Sequence, residues 1–221
     1  MTDCEKYLGL PMACRKSKVN TFIELYEQIT KRVIGWKEKF ISKVRREILI
    51  KTIAQAIPTY TMSLFKLPKA LCDSINSAIA RYWWVQTKDE RKIHWINWRK
   101  LCTTKKNGGM GFRDIQAFNL AMLAKQAWRL IHHTHSLFYR VYKVRYFPNC
   151  SFMEAEIKHS PSFVWWRLVV ARKVIMEGSR WRVGNEMQIM ADSRNWLSHK
   201  PVFKREKWPN LPVGDLIDDR A

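Results

Sequence analysis

The feature that most constrains the fold is the helical spacing of apolar residues along most of the chain. In the first such segment, Ser17 is a candidate N-cap and Gly35 lies near the end. Its apolar stripe consists of Val19, Phe22, Ile23, Tyr26, Ile29 and Val33. A second helix is predicted over about 42–56 and stops before Pro58, because proline cannot continue a helix. Its predicted inward stripe is Val44, Ile48, Ile53 and Ala56.

The same spacing predicts further helices toward the C-terminus, after a short connecting segment at 59–67. One starts at Pro68 and buries Leu71, Ile75, Ala78, Ile79 and Tyr82. The others are a short helix near 97–101, a long helix from the cap Asp114 to about His132, and helices over 137–146 and 162–177, the last ended by a left-handed Gly178. The sequence therefore predicts six or seven helices and a mainly α fold.

Few segments favour β structure. Residues 6–12 are predicted to form a short strand or turn that ends at Gly9 and Pro11. A hairpin is predicted over about 180–191, where Gly184–Asn185–Glu186 separates two short apolar runs. Residues 83–113 are predicted to be mostly irregular and end in a glycine-rich turn at 107–112.

The charge of the chain indicates a polyanionic partner. The sequence has 40 Lys and Arg against 19 Asp and Glu, which gives a formal net charge of +21. Such an excess repels itself in a compact fold unless a polyanion neutralises it. Nucleic acid is the favoured partner, and an anionic membrane surface is the alternative. With 47% apolar residues and 11 Trp, the chain is not a disordered basic tail.

Two basic stretches are the candidate nucleic-acid-binding residues. The first covers the two N-terminal helices: Lys31, Arg32, Lys37, Lys39, Lys43, Arg45, Arg46 and Lys51. These lie mostly between the apolar stripes, so the helices are predicted to present a basic outer face that reaches phosphates without reading bases. The second surrounds a Trp-rich segment: Lys88, Arg91, Lys92, Arg99, Lys100, Lys105 and Lys106. The alternative for both is a solvated helical face.

The tryptophans of the second stretch allow two interpretations. Trp83, Trp84, Trp95 and Trp98 would stack on the bases of single-stranded nucleic acid, or they would fill the core. Core packing is the commoner role and is favoured here. The neighbouring glycines fit a tight turn better than a phosphate-binding loop.

No catalytic or metal-binding pattern stands out. The adjacent aspartates Asp218–Asp219 have no supporting motif, and phosphate-cradling glycine motifs are absent. The five cysteines are too widely spaced for a zinc site and are expected to be reduced thiols. His132, His133 and His135 fit a helix end better than a metal site. We expect no catalytic activity, no metal, no cofactor and no membrane partner. With no signal peptide or apolar span, a nuclear or cytoplasmic, intracellular location is expected.

Seven motifs together resemble a known family. They are KYLGLP at 6–11, GW at 35–36, AIPTYTMSLFKLP at 56–68, RYWW at 81–84, IHWINWRKLC at 93–102, GGMGFRDIQAFNLAMLAKQAWRL at 108–130 and SRWRVGN at 179–185. In this order they resemble the region downstream of the palm in plant non-LTR (LINE-type) retrotransposon reverse transcriptases. The resemblance extends from about residue 6 to 217 and places Tyr7, Leu8 and Gly9 on the family's YLG element.

The resemblance implies a division of the chain. Residues 1–16 match the end of the polymerase palm, 17–85 a multi-helix thumb-like bundle, 86–178 a helical connection, and 179–221 the small C-terminal β-hairpin with an extended tail. It also implies that the paired aspartates of the palm lie upstream of this chain, and that the zinc-binding and RNase H segments lie downstream of it. Glu186 departs from the family, which usually has glycine there.

Three functions follow as hypotheses. The first is a non-catalytic fragment that binds the backbone of an RNA–DNA template–primer or a single strand. The second is an accessory part of a polymerase whose palm is on another chain. The third is a structural or protein-interaction domain that uses its Trp-rich surface and has no role in nucleic-acid binding. The sequence leaves the oligomeric state open.

Overall fold

The computed structural model describes residues 6–7, 10–11, 22–37, 41–84, 94–157, 161–180 and 212, and this part is mainly helical, as predicted. Its α-helices are α1 (Ile23–Lys37), α2 (Lys43–Leu49), α3 (Thr59–Leu64), α4 (Lys69–Trp84), α5 (Trp98–Cys102), α6 (Ile115–His132), α7 (Leu137–Tyr146) and α8 (Phe163–Gly178). A π-helical turn at Ile50–Ala54 continues α2, and a 3₁₀ turn at Lys105–Asn107 follows α5.

Two short strands, β1 (Lys6–Tyr7) and β2 (Leu10–Pro11), pair antiparallel, in the segment where a strand or turn is predicted. The chain divides into two compact units, Met1–Ala171 and Arg172–Ala221. The packing described below lies within the first unit. The predicted hairpin at 180–191 lies outside the described residues, and the domain boundaries at 16, 85 and 178 stay predictions.

The core of the first unit lies among α1, α3, α4, α6 and the π-helical turn. α1 packs on α4, and α6 packs on both α3 and α4. Fully buried side chains at this contact include Ile29, Ile50, Met62, Ile75, Ile79 and Ile115. The predicted inward face of α4 is correct, because all five of its predicted residues are buried.

α1 differs from its prediction in which residues it buries. It begins at Ile23, and the predicted cap Ser17 lies outside the described residues. Phe22, Leu25, Ile29 and Val33 form the buried face, whereas Ile23 is 46% exposed. Gly35 lies within the helix, which continues to Lys37.

The predicted inward stripe of α2 is wrong. Val44 and Ile48 are 68% and 54% exposed, and Ala56 is exposed. The face that turns inward carries Arg46, Ile50 and Ala54 instead. Ser42, near which the helix was predicted to start, caps it by accepting a hydrogen bond from the backbone N–H of Arg45 at 3.4 Å.

Arg46 explains why the other face of α2 is buried. Its side chain is only 6% exposed, and its guanidinium lies 5.9 Å from the centre of the Tyr82 ring in α4. A long arginine stem packs well on apolar surface, and its cation is attracted to an aromatic face. α2 therefore packs on α4 through an arginine, which a hydrophobic pattern does not reveal.

Buried side-chain amides organise the start of α6. The Nδ2 of Asn119 donates to the carbonyl oxygens of Met62 and Phe65 at 2.8 and 2.7 Å, and its Oδ1 accepts from the Leu67 N–H at 2.9 Å. This segment was predicted to be a connection, but part of it forms α3. Asn119 thus satisfies backbone groups at the end of α3 and in the segment that leads to α4.

Asp114 begins α6 as predicted. It accepts a hydrogen bond from the Ala117 N–H at 2.8 Å. Asn76 of α4 donates to the other oxygen of Asp114 at 3.2 Å and accepts from the Ile115 N–H at 3.2 Å. The Nε2 of Gln55 donates to the carbonyl oxygen of Arg113 at 3.0 Å. The start of α6 is therefore held by polar groups from two other segments.

A second cluster, made of aromatic rings, lies where α7 meets α8. The Trp165 ring is stacked on Tyr146 at 4.6 Å and on Phe147 at 5.6 Å, and it meets the edge of Phe152 at 5.8 Å. Next to it, the buried Arg167 donates from Nη1 to the Leu64 carbonyl oxygen at 2.7 Å. α8 is thereby tied to the end of α3.

The end of α8 does not have the predicted geometry. Gly178 is the last residue of the helix, and the glycines with a left-handed φ in the described part are Gly108 and Gly111. The predicted helix over 162–177 is otherwise confirmed within one residue at each end.

Candidate nucleic-acid interface

The first basic site is organised by one carboxylate, Glu47 of α2. Its Oε1 lies 2.7 Å from the Lys51 Nζ and 3.0 Å from the Lys105 Nζ. The side chain of Glu47 is 17% exposed, against 32% for Lys51 and 67% for Lys105. Hydrogen bonds from Lys51 and Lys105 lower the pKa of Glu47 below its ordinary value of 4.5. We call Glu47, Lys51 and Lys105 the Glu47 cluster.

The local sequence explains the contact between Glu47 and Lys51 but not the contact with Lys105. Glu47 and Lys51 are four residues apart, so they lie on the same side of the helix. Lys105 comes from the 3₁₀ turn after α5, far along the chain. The position of that turn depends on the glycine-rich segment and its aromatic neighbour.

The glycine-rich turn folds back on α5 through tight backbone contacts. The N–H of Gly111 donates to the Thr103 carbonyl oxygen at 2.8 Å, and the N–H of Met110 donates to the Leu101 carbonyl oxygen at 2.9 Å. A Cβ at Gly109 would overlap the Thr103 carbonyl, so only glycine fits there. This confirms the tight-turn interpretation of the glycines.

Phe112 anchors the same turn in the core. Its ring is stacked on Trp98 at 5.3 Å and meets the edge of Trp83 at 5.2 Å. Core packing is therefore the role of Trp83 and Trp98, as favoured from the sequence. Trp84 is half-buried and lies 6.0 Å from His94, whereas Trp95 is 78% exposed.

Lysine amines surround this turn. The Lys51 Nζ lies 5.7 Å from the centre of the Phe112 ring, and a Cβ at Gly111 would come within 3.8 Å of it. A Cβ at Gly108 would come within 3.9 Å of the Lys100 Nζ. The structure thus brings Lys51, Lys100 and Lys105 together from separate segments around one exposed turn.

The other predicted binding residues fall into three groups. Those with exposed side chains are Lys31, Arg32, Lys43, Arg45, Arg99 and Lys106. Arg46 corrects the prediction, because its burial against Tyr82 removes it from the basic outer face. Those outside the described residues are Lys39, Lys88, Arg91 and Lys92, together with the side chain of Lys37. Of the family-motif residues, Tyr7 lies in β1, whereas Leu8 and Gly9 are also outside the described residues.

A groove on α1 was not predicted from the sequence. Its volume is about 620 Å³, and it is lined by Gln28, Lys31, Arg32, Gly35, Trp36 and Ile57. Two of these, Lys31 and Arg32, are predicted binding residues. The remaining four were not predicted to bind, and Ile57 comes from another segment of the chain. We call this site the α1 groove.

Metal and thiol chemistry find little support in the described part of the chain. Across residues 22–37, 41–84, 94–157 and 161–180, no three His, Cys, Asp or Glu residues are grouped as a metal would require. Burial raises the pKa values of Cys72 and Cys102 to about 11, so both are thiols at neutral pH. His132 and His133 lie at the C-terminal end of α6, as predicted. None of the described helices is long and apolar enough to cross a membrane.

Comparison with known proteins finds two Arabidopsis thaliana proteins that are similar to the chain. It is 39% identical over 143 residues to the Arabidopsis thaliana protein named "Uncharacterized mitochondrial protein AtMg00310", a match that covers 64% of this chain and 93% of that protein. The chain therefore belongs to the same family as AtMg00310. No family model and no solved structure matches the chain.

A second relative is much longer. The chain is 29% identical over 204 residues to the Arabidopsis thaliana "Putative ribonuclease H protein At1g65750". This match covers 88% of the chain but only 32% of that protein, so the chain spans about a third of the length of this relative.

Proposed function

We propose that this chain is a non-catalytic segment of a plant LINE-type retrotransposon reverse transcriptase, and that it binds the sugar-phosphate backbone of an RNA–DNA template–primer. The seven ordered motifs support the assignment to this family. The similarity of 88% of the chain to a protein named for ribonuclease H is consistent with it, because that name also denotes an activity on RNA–DNA hybrids.

The convergence of lysine amines around the glycine-rich turn carries the binding proposal. Lys100 and Lys105 are exposed, and exposed Lys106 follows in the same turn. Lys43 lies one helical turn before Glu47, and Arg45 is exposed on the same short helix. Phosphates that approach this surface meet several cations on rigid elements, and such contacts position a backbone without reading bases.

Glu47 gives this surface its particular character. It partly neutralises Lys51 and Lys105 while the nucleic acid is absent, and it fixes where their amines lie. An arriving phosphate competes with the carboxylate for the two lysines. Binding is therefore expected to be weaker than the net charge of +21 suggests, because the carboxylate competes with phosphate for the two amines.

Binding to an RNA–DNA hybrid across a series of salt concentrations tests this proposal. If about six phosphates are neutralised, the plot of log K against log salt has a slope near −5. The variant Lys105→Ala/Lys106→Ala should make the slope shallower by about 2, because each phosphate contact contributes about 1. The matched control is Lys69→Ala/Lys125→Ala, which removes two exposed lysines from α4 and α6.

A flat salt response in the wild-type chain would contradict the proposal. Equal losses in the two double variants would show that only the net charge matters and that the glycine-rich turn has no special role.

A protein-interaction role is the second candidate, and one observation favours it. Leu137, Val141 and Val144 form a stripe on α7 and are 74%, 53% and 78% exposed. Apolar residues at this spacing usually pack against something. Sedimentation experiments test this role by comparing self-association of the wild type and the variant Leu137→Ser/Val144→Ser. If the variant loses self-association and the wild type does not bind nucleic acid, the protein-interaction role replaces the nucleic-acid-binding role.

The accessory-subunit hypothesis has a separate test. A chain that carries the palm with its paired aspartates should extend a primer better when this chain is added. If extension does not improve, the hypothesis of a polymerase divided between two chains is rejected.

A further inference from the structure

We propose that the α1 groove binds one unpaired nucleobase of a single-stranded nucleic acid. This inference rests on the proposed function, since it adds a base-binding site to the backbone-binding surface. The groove has a volume of about 620 Å³, within the range of roughly 300–1,000 Å³ in which small-molecule sites fall.

Helix geometry explains the position of the groove. Gln28, Lys31, Arg32 and Gly35 follow one another at spacings of three, one and three residues, so they share one side of α1. At Gly35 the side chain is missing, and a Cβ built there meets no atom within 4 Å. Gly35 therefore leaves an open space on a helix whose opposite side is packed in the core.

The walls of the groove are aromatic and apolar. Trp36 is half-buried, and its ring lies 5.7 Å from the Tyr82 ring at an angle of 54°. Both Trp36 and Ile57 pack against the hydrophobic core, so they do not move freely. A fixed indole beside a branched aliphatic side chain suits a flat ring, and stacking on tryptophan tolerates any base.

The rim of the groove is cationic. Lys31 and Arg32 are exposed, and none of the described residues that line the groove is acidic. This contrasts with the Glu47 cluster, where a carboxylate occupies the lysine amines. A ligand that joins a flat ring to an anionic group matches such a site, and a nucleotide has this composition. The Gln28 amide can both donate to and accept from a base edge.

The base must be unpaired to enter. In a duplex the ring faces are stacked and the Watson–Crick edges are paired, so a groove of this size takes a base from a single strand or a strand end. The α1 groove thus predicts a preference for single-stranded over fully duplex segments, in addition to the backbone affinity proposed above.

The test compares two short single-stranded oligonucleotides with the same number of phosphates, one with bases and one abasic. Fluorescence anisotropy of the full chain should show roughly tenfold tighter binding of the base-bearing strand. The variant Gly35→Leu fills the groove and should remove this difference, leaving affinity for the abasic strand unchanged.

Gly35→Ala is the matched control, because its added methyl group meets nothing and takes little of the groove. Both variants remove a glycine from a helix interior and should keep or raise the melting temperature. Gly35→Ala should retain most of the preference for the base-bearing strand.

The outcomes separate the two proposals. Equal, salt-dependent binding of both oligonucleotides leaves backbone binding in place and rejects the base site. If both variants keep the preference for the base-bearing strand, the base site is also rejected. No binding of either oligonucleotide rejects both proposals. Competition by an acidic peptide with an aromatic residue, without any preference for bases, would assign the groove to a protein partner and overturn the inference.

Discussion

The interior around the start of α6 and the surface around Glu47 are both held together by polar side chains, but these side chains differ in chemistry. In both places, polar side chains join segments that are more than fifty residues apart. Asn119 does this with a neutral amide at 2% exposure, and Glu47 does it with a carboxylate and two lysines at the surface. The neutral Asn119 contacts are indifferent to salt and pH, whereas the Glu47 contacts respond to both.

The neutral contacts serve folding, and the charged contacts serve binding. The neutral amides fix the path of the chain before any ligand arrives, and the charged cluster keeps its lysines in place while allowing an anion to displace the carboxylate. Three predictions test the contrast, in order of decreasing size.

The largest effect is expected from Asn119→Ala. The substitution leaves the Leu67 N–H and the Met62 and Phe65 carbonyl groups without their amide partner, and should lower the free energy of unfolding by about 3 kcal/mol. Urea unfolding at low and high salt measures it, and the loss should be the same at both. The control Gln126→Ala, in the same helix and bonded only to Arg129, should change stability by less than about 0.5 kcal/mol.

The second effect concerns Glu47→Gln, for which stability and binding should change in opposite directions. Loss of the carboxylate should lower stability by about 0.5–1 kcal/mol, the size of a surface ion pair. It also leaves Lys51 and Lys105 available to phosphates, so affinity for an RNA–DNA hybrid should rise by roughly threefold or more at low salt.

Glu156→Gln controls for net charge in this experiment, because it removes one exposed carboxylate elsewhere in the first unit. An equal gain in affinity for both variants would show that the position of Glu47 is irrelevant. A fall in affinity for Glu47→Gln would mean that the carboxylate orients the lysines more than it competes for them.

The smallest effect is a pH dependence. The folded pKa of Glu47 lies below its ordinary value of 4.5, so its contribution is complete above that pH and is lost as the pH falls through the folded pKa. The stability difference between wild type and Glu47→Gln, about 0.5–1 kcal/mol at pH 7, should therefore shrink as the pH falls below 4.5. Asn119→Ala should show no such trend relative to wild type. A difference that persists in acid would show that Glu47 stabilises by packing.

Local signals made α4 and α6 predictable. Asp114 caps α6 through its own side chain, and the apolar residues of α4 repeat at helical spacing without a competing stripe. Both features are contained within a few neighbouring residues. The tight turn at the glycines and the core role of Trp83 and Trp98 could be predicted for the same reason.

Tertiary contacts made the rest unpredictable. α2 has apolar residues on two sides, and the choice between them depends on Tyr82, which lies in another helix. Likewise, Lys105 reaches Glu47 only because Phe112 is held between Trp83 and Trp98. The α1 groove requires Gly35 and Ile57 to line the same space, and no spacing in the sequence encodes that.

The π-helical turn at Ile50–Ala54 has a consequence for how relatives are aligned. The Gln55 N–H donates to the Ile50 carbonyl oxygen five residues earlier, at 3.0 Å, so this turn contains one residue more than an ordinary helical turn. A relative with a single deletion here would rotate its α2 by about 100° relative to the following segment. Arg46 would leave Tyr82, and Glu47 would leave Lys105. One gap in an alignment would thus rearrange the charged surface of the relative while barely changing its percentage identity.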